Sequence, residues 1–280
     1  MNDAVQKYLR DKVLTRLVTG FKEFRRDYFE RDRELYADLS QKGQSPEVMI
    51  VACSDARVDP AIVTRTEPGD LFVIRNVAAI VPPREADRHY HGTSAALEFG
   101  VKGLGVGHIV ILGHALCGGL MHLRDRAQGQ RAAVDAGEDQ EDSAYEFLSD
   151  WVKIALPAFD AVEPLLGTLP PDEARRTLEQ AAVLVSLSNL LSFPWIREPV
   201  AAGTLRLHGW YFDLTSGELS AFDHATASFR PVRELPDALP SDIAAVAARM
   251  IAECGSCAPT LGLNRFVAEK AKFWCETVKG

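Results

Sequence analysis

Val48-Met49-Ile50-Val51 and His108-Ile109-Val110-Ile111-Leu112 are short, unbroken apolar runs of the kind that makes a buried strand. Leu71-Phe72-Val73-Ile74, entered through the turn Glu67-Pro68-Gly69-Asp70, is a third. A helix opened by Gly92-Thr93-Ser94 and spanning 92–102 feeds the run at 108–112. Strand, helix and strand in that order make a βαβ unit, so the chain is constrained to an α/β fold around a central, mainly parallel sheet flanked by helices. Residues 204–212 and 218–222, around the turn Thr215-Ser216-Gly217, read as further strands. The expectation is about four strands plus an edge strand.

Residues 3 to about 41 read as an N-terminal helical arm, with Val13, Leu14, Leu17, Phe21 and Phe24 at three-to-four spacing. Gly43-Gln44-Ser45-Pro46 ends it. Further on, 117–127 reads as a helix, 128–142 as a polar exposed loop, and 144–166 and 172–191 as long helices. Beyond about 225 the chain turns extended and Pro-punctuated, followed by helix candidates at 241–253, capped by Ser241-Asp242, and at 263–278. The plan is a helical arm over 1–45, an α/β domain with the chemistry over 46–224, and a C-terminal extension over 225–280 whose role stays open.

A formal charge of −8, with no Lys/Arg run, argues against a nucleic-acid partner. The N-terminus lacks the basic flank and apolar stretch of a signal peptide, and no segment approaches the ~20 apolar residues of a bilayer span. A cytoplasmic protein with no membrane partner is expected. Five cysteines in such a chain point to buried, metal-bound or redox-active thiols rather than a disulfide scaffold.

Two of them stand where strands leave the sheet, the place where open α/β sheets build their sites. Cys53-Ser54-Asp55-Ala56-Arg57 follows the first run, and Gly113-His114-Ala115-Leu116-Cys117-Gly118-Gly119 follows the run at 108–112. Two thiolates and one imidazole, from Cys53, His114 and Cys117, form a ligand set for catalytic zinc, with the fourth position left to water. The alternative is two buried small hydrophobes and a satisfied core histidine. Their joint occurrence after two strands favours the metal. Asp55 and Arg57, two residues apart at a strand exit, can pair bidentately, which keeps the aspartate ionised and aimed. A structural ion pair is the bland alternative.

The two motifs in this order resemble the signature of β-class carbonic anhydrases. The similarity covers roughly residues 10 to 223, including Glu67 to Ala78, Gly92 to Glu98, Ser186 to Leu191 and His208-Gly209-Trp210. The resemblance implies one zinc per chain on Cys53, His114 and Cys117, with Asp55 and Arg57 as a dyad. It implies carbon dioxide and bicarbonate as substrates, and zinc-bound hydroxide as the nucleophile. Gln44 matches a plant-type glutamine that hydrogen-bonds substrate, and Phe72 and Val77 fall on apolar pocket positions. In this family Gln44 and Phe72 reach in from the adjacent subunit, so a homodimer or higher homo-oligomer follows. Phe99 replaces the plant-type tyrosine in that pocket, and a backbone N–H near Gly118 is a candidate for stabilising bicarbonate oxygens. Ile50 and Phe212 replace the tryptophan and tyrosine of the allosteric bacterial type, and only Arg75 of that set is kept, so an open centre without a noncatalytic bicarbonate site is expected.

Two thiolates donate more charge than imidazoles, so an alkaline optimum is expected. Tyr90, His89 and His91 are proton-relay candidates, each also readable as a solvated loop residue. Relatives acting on carbonyl sulfide or carbon disulfide keep the same ligands, and a noncatalytic protein on this fold is a further alternative. The intact ligands, dyad and Gln44 favour carbon dioxide. Cys254-Gly255-Ser256-Cys257 and Cys275 read as structural or incidental, with a thiol switch as the sharper alternative.

Overall fold

The computed structural model describes residues 3–85, 87, 89–136, 145–223 and 226–234. The helix candidates at 241–253 and 263–278, and Cys254, Cys257 and Cys275, lie outside the described residues. The chain divides between Ser45 and Pro46 into two units.

The first unit contains α1 (Asp3–Phe24), a π-helical turn over Arg25–Phe29 and α2 (Arg33–Lys42). Aromatic rings hold the bend: Phe24 stacks on Tyr28 at 5.6 Å, and Phe29 meets Tyr36 at 4.8 Å. Val13, Leu14, Leu17, Val18 and Phe21 recur along one stripe of α1, and all are exposed.

The second unit is built on six strands: β1 (Val48–Cys53), β2 (Leu71–Asn76), β3 (His108–His114), β4 (Arg206–Phe212), β5 (Leu219–Asp223) and β6 (Ser228–Pro231). Their order is β2-β1-β3-β4-β5-β6. The first four run parallel, β5 is antiparallel to β4, and β6 is antiparallel to β5. Around them lie α3 (Pro60–Thr64), α4 (Gly92–Glu98), α5 (Gly118–Ala136), α6 (Leu148–Val152), α7 (Leu156–Val162), α8 (Pro171–Leu190) and α9 (Pro194–Ala201). The α/β class with a mainly parallel sheet is therefore the one adopted.

Unbroken apolar runs suit β1 and β3 because both faces of these strands are covered. Met49, Val51 and Cys53 join the larger core with Leu120, Phe159 and Leu184, while Ile50 and Ala52 join Val58, Val110 and Leu112 on the other face. The chain passes from β1 to β2 on one side and then crosses to β3 on the other. The carboxyl ends of β1 and β3 therefore flank the point where strand order reverses, the crevice in which open sheets bind ligands.

Three expectations need correction. The sheet has six strands rather than about five, because Ser228–Pro231 pairs with β5, beyond residue 224. This strand is short and ends in proline, which an edge tolerates, and Phe229 anchors it 5.4 Å from Phe222. Helix α5 continues to Ala136, across part of the expected loop, since Gln, Arg and Ala are strong helix formers. The helix expected over 144–166 is broken into short α and 3-10 turns, with Pro157 and Pro164 each restarting a turn.

Candidate active site

Cys53 is the last residue of β1 and His114 the last of β3, while Cys117 stands immediately before α5. Their ligand atoms all lie within 4.8 Å of one another, and all three residues are buried. The intervening turn passes through Leu116 at φ 59°, a left-handed conformation that a non-glycine residue keeps only where its surroundings impose it. Nδ1–H of His114 donates to the Ala115 carbonyl at 2.8 Å, which leaves Nε2 as the lone-pair nitrogen of the ring. That nitrogen is buried and has no hydrogen-bond partner among the described residues. Leaving such an acceptor unmet costs about 1–3 kcal/mol. A zinc ion answers both this orphan nitrogen and the two neighbouring sulfurs, so the donor set fits zinc.

Backbone amides serve the sulfurs. The N–H of Ala78 donates to Cys53 Sγ at 3.3 Å. Ala78 and Ala79 both have positive φ, 69° and 54°, in the turn after β2. Gly119 lets α5 lie against that turn, because a Cβ there would sit 2.8 Å from Val77 Cγ1. The backbone amides of Gly119 and Leu120, in the first turn of α5, lie beside the Cys117 sulfur at the positive end of the helix and act to lower its thiol pKa. Of the two thiols, Cys53 is the one held low, chiefly by the neighbouring Cys117 thiol.

The loop after β1 carries the charged pair. Asp55 Oδ1 accepts from Arg57 Nε at 2.9 Å and from its backbone N–H at 2.9 Å, and Oδ2 accepts from Nη2 at 2.7 Å. Arg57 Nη2 also donates to the Leu116 carbonyl at 3.1 Å. The guanidinium holds the Asp55 carboxyl well below the usual carboxylate range. Asp55 Oδ2 lies 4.0 Å from His114 Nε2. Arg75, on β2, laces the same loop by donating to the carbonyls of Cys53, Asp55 and Val58 at 3.0, 2.8 and 3.0 Å.

A family model described as carbonic anhydrase matches residues 48–219. Beta carbonic anhydrase 3 of Arabidopsis thaliana is 32% identical over 211 residues, 75% of this chain and 77% of its own length. The chain belongs to the β-carbonic anhydrase family. It is accordingly a lyase. Among solved structures, the β-carbonic anhydrase CcaA is 30% identical, with a TM-score of 0.72 over 82% of this chain and 95% of that one. A structure from a study of two tetrameric β-carbonic anhydrases of Sordaria macrospora is 26% identical, with a TM-score of 0.61 over 75% of this chain and 96% of that one.

The other residues expected at a carbonic anhydrase site are placed unevenly. Val77 directly follows β2, and its carbonyl accepts from Trp151 Nε1 at 2.8 Å. Gly118 opens α5, next to Cys117. Phe72 stands opposite Met49 and four residues before Asn76, the partner of Cys53, so about 13 Å of strand separates it from the level of the metal ligands. Phe99 packs on Phe72 with ring centroids 5.9 Å apart. Gln44 is exposed after α2, in the first unit. His89 and Tyr90 are exposed, and the His91 ring is engaged by Asp87.

The sequence reading missed Glu179 and Tyr211. The Glu179 side chain is buried, accepting at Oε1 from the Cys117 N–H at 3.2 Å and at Oε2 from the Tyr211 hydroxyl at 2.7 Å. Burial pushes the Glu179 carboxyl up, and the hydrogen bonds from Tyr211 and Cys117 oppose that. A lone carboxylate midway along the apolar face of 172–191 was the available signal.

Proposed function

We infer that this chain hydrates carbon dioxide reversibly to bicarbonate and a proton, using one zinc ion held by Cys53, His114 and Cys117, with Asp55 and Arg57 aligning the attacking water. The observation that carries it is the buried, partnerless Nε2 of His114 beside two thiols, with the Asp55 carboxylate 4.0 Å away. Zinc, when bound, supplies the Lewis acidity that brings the pKa of water towards neutrality. Asp55, kept ionised by Arg57, accepts a hydrogen bond from the nucleophile and so orients its lone pair at carbon dioxide. Val77 offers an apolar wall suited to a nonpolar substrate, and the Gly118 N–H is a donor for the oxygens of bicarbonate. Gln44, Phe72 and Phe99 complete the pocket from a neighbouring chain, a reading supported by the strand length separating Phe72 from the ligands of its own chain. A reducing compartment keeps Cys53 and Cys117 as thiols, so a cytoplasmic location suits the centre. Among the described residues, no helix is long and apolar enough to cross a membrane.

Stopped-flow hydration on protein of known zinc content tests the reaction. About one zinc per chain is expected, with turnover rising from about pH 6.5 to about pH 9. Full zinc with negligible hydration throughout would overturn the reading in favour of a carbonyl sulfide or carbon disulfide hydrolase.

The exposed stripe of Val13, Leu14, Leu17, Val18 and Phe21 suits a second copy of the chain, and the Sordaria macrospora relatives are tetrameric. Sedimentation equilibrium should give at least twice the chain mass of 30.7 kDa. A fully active species at the single-chain mass would sink the shared pocket.

A further inference from the structure

Helix α8 lies close against β3, the strand that ends in His114, and its neighbour β4, and glycines make this possible. A Cβ on Gly113 would meet Val183 Cγ2 at 2.5 Å, and one on Gly209 would meet Val183 Cγ1 at 3.0 Å and Leu187 Cδ1 at 3.1 Å. Side chains of ordinary size at either position would hold the helix away from the sheet. In the β3–β4 register, Tyr211 stands opposite Gly113, one residue before His114. The close approach therefore brings Glu179, one turn before Val183 on α8, to both the Tyr211 hydroxyl and the Cys117 N–H. Arg175, one turn earlier still, has its Nε 3.9 Å from Glu179 Oε1.

The carbon dioxide chemistry asks nothing of this carboxylate, which faces the backbone of a ligand. What it touches is the segment 115–117, in which Leu116 is left-handed and Cys117 must present its sulfur to Cys53 and His114. A turn held in a disfavoured conformation relaxes unless its polar groups are fixed. We propose that Glu179 is a positioning residue for the metal centre: by accepting from the Cys117 N–H it locks the 115–117 turn, and the Tyr211 hydroxyl locks Glu179. The inference rests on the reading that Cys53, His114 and Cys117 hold the metal, and deepens it by adding the group that aims one of the three. Supporting groups of this sort are worth roughly 10- to 100-fold in metal affinity.

The full chain loaded with cobalt(II) provides a readout apart from turnover. Its thiolate-to-cobalt charge-transfer and visible bands report the ligand geometry, and competition with a chelator reports affinity. Glu179→Leu fills the volume and removes the acceptor, and should bind cobalt about 10- to 100-fold more weakly with altered bands. Glu179→Gln keeps an acceptor oxygen and should restore most of the affinity. Tyr211→Phe frees Oε2 and should weaken binding by a smaller factor. Wild-type bands and affinity in Glu179→Leu would overturn the proposal, as would a Gln variant as impaired as Leu. If Glu179→Leu does not fold, Tyr211→Phe decides alone: unchanged bands and affinity overturn the proposal, and a shift in both supports it. Failure of the unmutated chain to bind cobalt would instead remove the metal reading beneath it.

Discussion

Replacing Cys117 with alanine is expected to take zinc content from about one per chain to near zero and to reduce hydration to the buffer background. The size of the effect follows from the geometry. Cys117 is one of the three donors of the proposed site among the described residues, and it stands between the first turn of α5 and the ends of β1 and β3. With one thiolate gone, the remaining thiol and imidazole no longer make the three-donor set that catalytic zinc sites use. Metal analysis after dialysis, alongside circular dichroism to verify the fold, makes the test. A well-folded variant that keeps a full zinc complement would show that the ion sits elsewhere.

The second large effect is expected at Asp55, with the metal retained. Asp55→Ala removes a carboxylate that accepts three bonds from Arg57 and faces His114 Nε2 at 4.0 Å. Its loss should lower kcat/KM by roughly 10²–10⁴-fold, the range for a positioned proton-accepting group, while zinc stays near one per chain. Asp55→Asn keeps the shape but not the charge, and should fall on the same side. Wild-type turnover by either variant, measured by stopped flow against its own zinc content, would remove the dyad from the reaction.

These two predictions concern the part of the molecule that was most legible in the sequence. Cys53 and Asp55 follow one apolar run and His114 and Cys117 follow another, so each group is read within a few residues of its strand. Parallel pairing of those strands does the rest, setting Ala52 opposite Leu112 and bringing the motifs together. Glu179 lay beyond such reasoning because it meets Cys117 across 62 residues, through a helix approach that depends on Gly113 and Gly209. The donor on Cys53 was hidden for a different reason: it is the Ala78 backbone N–H, and a backbone amide has no residue signature. Phe72 and Phe99 could be named from resemblance, yet the strand register sets Phe72 far along β2 from the ligands of its own chain, which residue type alone does not reveal. At the level of the fold, β6 escaped because four residues ending in Pro231 carry little strand pattern, although Phe229 is enough to seat them.

The bond from Arg57 Nη2 to the Leu116 carbonyl joins the two motifs without passing through a metal. One arginine thus spans the exits of both central strands, gripping the acid on its own loop and the strained peptide on the other. Any displacement of either crossover is transmitted to its neighbour as a lost or lengthened bond. Grafting this centre into another parallel sheet would therefore require both crossovers as a matched pair, set in the same stagger between their strands; a transplant of either segment alone would arrive with its counterpart missing.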